Sequence, residues 1–506
     1  LWELIKSLTK PELYKFKERA FEKERRFPKY VQLFDVIYKQ DVYDEEQIRT
    51  EFKGDVILNH LPRFKNYLYN RILEFIRDAN SGEESELHGI LEKVRILFYK
   101  RLYHHLPIII SRGKRLAYRM ENYEAVRKLI RFEIGVLREA YSPEKYSQDI
   151  DALLDEELRV WKREVNKAEL LRIDARFQKS WHLTGTERKL FLIEFTSNPI
   201  VTDQQLALSK SARVIQLQIQ WLNSFFIGEF SSLTEGADQI IRIFENAPAL
   251  LEDRSMYDCL VKAILYSSTF RVRSNDLAGA QRQFAKLNTL ANAKKKTPLM
   301  FSEQETIFRL YLSLKTFDEQ VGENAIASYL DAESSNFSEP SSKSEINISH
   351  LSSVYYLYTG KPQLALPWIN RNRNRKRNSV RPDLVMASRL LFVVCHWQME
   401  NIDVVEREIR SIRTSWGRYK LMNEYYDFFL KLFSNLSKQQ VSEKEIIVNS
   451  LQKLKQNEEA PLWLAMSHYF HLKDWLNAKW REQTVFQMHL SVSKSIDDND
   501  KDVSSS

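Results

Sequence analysis

The chain has 506 residues, 43% of them apolar, with a formal charge of +8 and only 12 glycines, 13 prolines and 2 cysteines. That length allows roughly two to four ordinary domains or one extended repeat array. Scarce glycine and proline exclude a turn-rich β protein, two cysteines exclude a disulfide framework, and no apolar run approaches the ~20 residues of a membrane span.

The small positive excess permits an acidic partner and does not demand one. Cys259 and Cys395 sit in apolar helical stretches and read as buried small hydrophobes in a reducing compartment. The opening LWELIKSLTKPELYKFKERA shows no signal-peptide pattern, so the expected localisation is cytoplasmic.

Residues 1–80 read as an N-terminal helical module. Thr9-Lys10-Pro11-Glu12 has the cap, early proline and acidic residue of a helix start. A second helix spans Tyr30 to Gln40, and Asp44-Glu45-Glu46 opens a short one whose macrodipole the carboxylates favour. The spacing of Leu61, Phe64, Leu68, Ile72 and Phe75 predicts a single long helix from Val56 to Ala79. A short helix, a glycine turn and a longer helix bearing Arg63, Lys65, Asn66 and Arg71 have the outline of a helix-turn-helix DNA reader. The plainer reading makes those bases the solvated face of a cap.

Residues 81–430 read as an array of helix pairs, entered after Ser81-Gly82-Glu83-Glu84. Helices are expected over Leu87–Leu106, Ile108–Met120, Ala125–Glu139 and Ile150 to about Lys179. In the last, Ile150, Leu154, Leu158, Trp161 and Val165 recur at four- and three-residue steps, a stripe expected in the core or a solenoid seam rather than on a dimer surface. The clearest repeat lies in Leu351–Arg413, where SSVYYLYTG-KPQLALPWINRNR is followed by LLFVVCHWQ-MENIDVVEREIRSIR. Leu364, Ala365 and Ile369 fall on Val404, Val405 and Ile409 at one constant offset. Polar turn signals at Gly228-Glu229, Asn275-Asp276, Gly360-Lys361 and Glu400-Asn401 fit units of roughly 40–47 residues, with one interval, from Asn275 to Gly360, about double. A turn disguised at Thr316-Phe317-Asp318 would split that widest gap. Serine-rich Glu333–Ser349 is expected to be a loop. Residues 431–490, with a helix over Pro461–Trp480, read as a C-terminal helical cap, and 491–506 as a polar tail that does not fold.

Gly360-Lys361-Pro362-Gln363-Leu364-Ala365 and Asn275-Asp276-Leu277-Ala278-Gly279-Ala280 resemble the tetratricopeptide (TPR) turn G-D-Y-x-x-A, in which the small residue lets two helix backbones approach. Val405 and Val126 depart from the pattern by enlarging that residue. The whole chain also looks like a group of uncharacterised bacterial all-helical proteins, through LFDVIYKQDVYDEEQIRTEF…NYLYNRIL and NIDVVEREIRSIR…YYDFFLKLF. The resemblance implies an all-α fold, a right-handed α-solenoid of TPR-like pairs with N- and C-terminal helical caps; it implies no activity.

Motifs of catalysis are missing. No two glycines stand close enough for a phosphate-cradling loop, and neither G-x-S-x-G nor H-E-x-x-H occurs. Ser7-Leu8-Thr9-Lys10 fits S-x-x-K without partner motifs. His468, His471 and Asp474 share one side of a helix and would suit zinc, but Phe470, Leu472 and Trp475 surround them and no fourth ligand is evident. His104 and His105, adjacent on a helix, point about 100° apart. No catalytic residue, metal or cofactor is expected.

Two features point to binding. Arg371, Arg373, Arg375, Lys376, Arg377 and Arg381 form a basic run without an acid, either a solvated turn near a helix C-terminus or a dock for nucleic acid or an acidic peptide. By the TPR resemblance, the position two residues before each turn faces a concave groove, which places Arg119, Phe226, Arg273, Tyr358 and Gln398 there. The expected function is a non-enzymatic protein–protein interaction scaffold. The alternative is a nucleic-acid-associated protein using the basic run or the N-terminal module.

Overall fold

The computed structural model describes residues 1–8, 10–23, 29–79, 82–140, 143–177, 185–227, 230–294, 298–335, 342–375, 381–418, 422–438, 441–458, 460, 463, 466–467 and 469–491, without some side chains beside the breaks. The described residues are all-α, without a strand. They divide into two compact units. One holds Leu1–Lys162 and Ala249–Arg254; the other holds Arg163–Pro248, Ser255–Ser334 and the described residues after 340.

In the first unit, α1 (Trp2–Lys6), α2 (Lys10–Lys23), α3 (Lys29–Lys39), α4 (Glu45–Glu51), α5 (Val56–Asn59) and α6 (Leu61–Ala79) enclose a core of their own around Phe16, Phe34, Ile37, Leu68 and Ile72. Asp44 caps α4 by accepting the Glu46 and Gln47 amides. The long helix expected from Val56 is interrupted at His60, which has φ −135°. Pro62 is the reason: its ring has no N–H to donate and clashes with the carbonyl four residues back, so a new helix begins just before it. The Thr9 cap lies outside the described residues.

A second core joins α7 (Glu83–Tyr99), α8 (Leu106–Arg119), α9 (Tyr123–Ala140) and the first half of α10 (Pro143–Phe177) through Ile90, Val94, Leu129, Ile130 and Val160. The helix expected to reach Leu106 ends early. Arg101 takes a left-handed conformation, a 3₁₀ turn over Tyr103–His105 follows, and Pro107 starts α8. Of the expected α10 stripe Ile150 packs on this core, but contrary to expectation Leu154 is 44%, Leu158 58%, Trp161 43% and Val165 44% exposed. In the first unit's part of the helix Glu157 and Val160 are buried instead, and in the second unit's part Leu170, Ile173 and Phe177 are. Arg131 fixes the first part by donating to the buried Glu157 at 2.7 Å, a polar anchor that hydrophobic periodicity does not register.

The second unit continues with α11 (Gly185–Thr196), α12 (Pro199–Thr202), α13 (Lys210–Ile227), α14 (Phe230–Glu245), α15 (Arg254–Arg273), α16 (Leu277–Lys294), α17 (Pro298–Thr316), α18 (Glu319–Ser335), α19 (Ser342–Tyr358), α20 (Pro362–Arg373), α21 (Pro382–Gln398), α22 (Ile402–Arg418), α23 (Glu424–Lys438), α24 (Glu443–Gln456) and α25 (Leu472–Trp480), with a last turn of helix over 485–491. From α19 to α24 each helix packs on the next, and α17, α19, α21 and α23 also touch successively.

The joint between paired helices is one device used repeatedly. A residue in the left-handed region ends the first helix, and the next residue's side chain or backbone starts the second. Asn275 (φ 67°), Phe317 (φ 56°), Gly360 (φ 74°) and Glu400 (φ 60°) hold that conformation at nearly even intervals along the chain. After Asn275, Gly360 and Glu400 the next residue closes the preceding helix: Asp276, Lys361 and Asn401 donate their amides to Arg271, Tyr356 and His396 carbonyls at 2.8–2.9 Å. Asp276 then accepts the Gly279 amide and Asp318 the Val321 amide as N-caps. The Phe317 turn is therefore present although no glycine marks it. Gly228 and Glu229 lie outside the described residues.

Ala365 and Val405 are fully buried at equivalent points, as are Ile369 and Ile409 four residues on, while Leu364 is 51% exposed. The serine-rich stretch expected as a loop is largely helix, since α18 runs to Ser335 and α19 starts at Ser342. Serine works there as a small core residue: Ser344, Ser349, Ser352 and Ser353 are buried, and Ser353 returns its hydroxyl to the Ser349 carbonyl at 2.6 Å. The tail after 491 lies outside the described residues.

Candidate partner-binding face

One stretch of chain, from Trp463 to His489, touches α23, α21, α19 and the turn after α17, alternate elements of the second unit. Trp463 packs on Tyr425 and Phe428 of α23, with ring centroids 5.3 and 5.1 Å away. Trp475 sits between Phe433 of α23 and Trp397 at the end of α21, at 5.6 and 5.5 Å. Phe470 meets Tyr358 at the end of α19, whose hydroxyl accepts the His471 amide at 2.7 Å. Phe486 packs on Tyr355 and on Phe317 in the turn after α17, and the His489 ring stacks on Phe317 at 3.9 Å. Trp475 and Phe486 are almost wholly buried. The stretch therefore reaches well beyond the last helix pair. Trp463, Met466 and Ser467 are helical, but the helix expected over Pro461–Trp480 is broken at 469–471 before α25 starts at Leu472.

Beneath the stretch lies a polar cluster withdrawn from water. Arg381, just before α21, donates to Asp383 through Nε at 2.9 Å and Nη2 at 2.7 Å, with the two side chains 16% and 11% exposed. Tyr469 donates its hydroxyl to Asp383 at 3.0 Å, and Arg381 reaches Asn347 on α19 at 3.3 Å. Burial would raise the Asp383 carboxyl, but the Arg381 guanidinium outweighs it and holds the carboxyl below its ordinary value. Burial, reinforced by Arg381, pushes the neighbouring His350 down to about 4. A small cavity of about 20 Å³ beside them is lined by Asp383, Tyr425 and Tyr469. The cluster can hold the C-terminal stretch on α19 and α21.

The residues assigned to a groove fall in different settings. Arg119, in the first unit, is exposed and pairs with Glu83 at 2.7 Å. The others belong to the second unit. Tyr358 is buried under the C-terminal stretch, and Gln398 is half-buried with an enclosed Oε1. Arg273 lies against the rings of Phe270 and Tyr311, at 5.9 and 5.6 Å. Phe226 lies on α13, its side chain outside the described residues.

The basic run is engaged where it is described. Arg371 forks onto Glu333 at 3.0–3.3 Å and lies over the Trp368 ring. Arg373 donates to the buried Glu408 at 3.0 Å, which also takes Arg389 at 2.7 Å. Arg375 pairs with Glu345, and Arg381 with Asp383. The run looked free of acids because the partners of Arg371, Arg373 and Arg375 stand far away in sequence, on other helices. Lys376 and Arg377 lie outside the described residues. In the N-terminal module Lys65 bonds Glu45 at 2.6 Å and Arg71 bonds Glu74 at 3.0 Å, while Arg63 and Asn66 lie toward solvent on α6.

Among the described residues no group of His, Cys, Asp and Glu is arranged to hold a metal. His471 and Asp474 stand 3.2 Å apart, and His489, which spacing did not suggest, reaches the same carboxylate at 3.4 Å. His468 lies outside the described residues. The His104 and His105 rings lie 3.9 Å apart, tilted by 43°, in their 3₁₀ turn. Both cysteines are buried thiols, and burial pushes Cys395 up to about 12, so it stays protonated near neutrality. Among the described residues no helix is long and apolar enough to cross a membrane. Compared with protein-family models, curated proteins and solved structures, the chain matches none.

Proposed function

We propose that this chain is a non-enzymatic scaffold that binds another protein, built as a right-handed α-solenoid of TPR-like helix pairs. The observation that carries the reading is the docking of Trp463–His489 across α23, α21, α19 and the turn after α17. A helical, aromatic-bearing segment is thus a ligand that the alternate helices accommodate. The C-terminal stretch takes the places near Tyr358, and Arg273 with Tyr311 on α15 and α17 offers the same residue types, arginine over aromatic rings, that dominate binding hot spots. A partner helix presented there is the ligand we assign.

Nucleic-acid association draws less support, because Arg371, Arg373, Arg375 and Arg381 all carry carboxylate partners. The test is affinity capture of the tagged chain from its native host, compared with Arg273→Ala/Tyr311→Ala. Reproducible capture of one protein, lost in the double variant while the chain stays folded, supports the reading. Capture of nucleic acid that falls steeply with salt would replace it.

A further inference from the structure

The first turn of α13 holds two bases, Lys210 and Arg213, and no acid. The positive end of a helix dipole lies there, so the position disfavours cations and favours an anion. α14 packs on α13 and contributes Arg242 from its own last turn. These three bases line an open cleft of about 390 Å³ whose described lining contains no carboxylate.

Arg213 is held in place without being neutralised. Its Nη1 donates to Gln216 Oε1, and its Nη2 donates to Gln204 Oε1 at 3.2 Å and Gln239 Oε1 at 3.4 Å. Gln216 is fully buried and pinned, donating to the Ile200 and Asp203 carbonyls at 2.8 and 2.7 Å. Three neutral amides from three elements thus aim one guanidinium and leave its Nε–H and one Nη1–H for a ligand. Two other guanidiniums drawn from water each face an acid: Arg271 meets Asp238 and Asp276, and Arg389 meets Glu408. Burial lowers the Arg213 guanidinium with nothing to offset it, whereas at Arg271 burial acts the same way and the facing carboxylates outweigh it. Beside the bases lie Leu217, buried, and Ile243, half-buried, as an apolar wall.

We propose that this cleft binds a small organic phosphate, its dianionic head on Arg213 and Arg242 at the start of α13 and its apolar body against Leu217 and Ile243. Guanidinium N–H groups and helix N-termini both suit phosphate oxygens, and the cleft is far larger than a bare ion needs. The site is independent of the partner-binding face.

Calorimetric titration of the full chain in chloride buffer with inorganic phosphate and with phenyl phosphate tests this. Both should bind saturably, phenyl phosphate about tenfold or more tighter because its ring covers the apolar wall. Arg213→Gln and, separately, the exposed Arg242→Gln should each weaken both ligands about tenfold or more, with unfolding midpoints unchanged for Arg242→Gln. Equal affinity for the two ligands overturns the organic body. Absence of saturation below about 10 mM, or binding unchanged in both variants, overturns the site.

Discussion

Gly322 on α18 faces Tyr355 so closely that an added Cβ would stand 2.7 Å from the ring's Cζ and 2.8 Å from Ser313 Oγ. The ring cannot swing aside, being fully buried with its hydroxyl donating to the Glu319 carbonyl at 2.8 Å. Gly322→Ala gains about 1 kcal/mol of helix propensity and loses about 1–3 kcal/mol to overpacking, so a net loss is expected in urea unfolding. A raised midpoint would contradict that contact. His350 gives a second residue-scale prediction. Its pKa is lowered in the fold from 6.5 to about 4, so the unfolded chain takes up the proton first as pH falls. The stability held by neutral His350 is complete above pH 6.5 and lost progressively toward pH 4, about 3 kcal/mol in all. His350→Leu should remove that part of the pH dependence; a variant with the same slope as the unsubstituted chain rules the account out.

At the scale of elements, the C-terminal stretch depends on a few aromatic anchors. Trp475, 1% exposed among Trp397, Phe433 and Phe470, is the largest of them. Trp475→Ala should cost about 3–5 kcal/mol and raise amide exchange in α25 before that in α20. A cost below about 1 kcal/mol would mean the stretch is not anchored there. Helix pairs were legible in the sequence because the joint is local: a left-handed residue and a following cap leave a short polar signal, readable even at Phe317. Breaks at His60 and Arg101 were harder to read, since the helical pattern runs on across both and only Pro62 and Pro107 betray the new start. The outward face of α10 was misread for another reason. Four large hydrophobics outweigh one buried glutamate in any periodicity, yet Glu157 with Arg131 fixes which side turns inward.

For the whole molecule, the charged groups singled out for binding were the least legible. Arg371, Arg373 and Arg375 find Glu333, Glu408 and Glu345 on helices remote in sequence, so a run that reads as bare charge is paired in the fold. The cleft at α13 leaves even less trace, because Arg213 and Arg242 come from different helices and glutamines carry no pattern. The reach of Trp463–His489 back to Phe317 joins the last helices to the turn after α17, a contact that local composition cannot show. The repeated joints show helices paired in series in the second unit, on which the proposed solenoid rests. Small-angle X-ray scattering of the isolated monomer tests that claim most directly. An open solenoid should give a radius of gyration well above the ~23 Å of a compact chain of this length, with an asymmetric distance distribution; a value near ~23 Å with a symmetric distribution would contradict it.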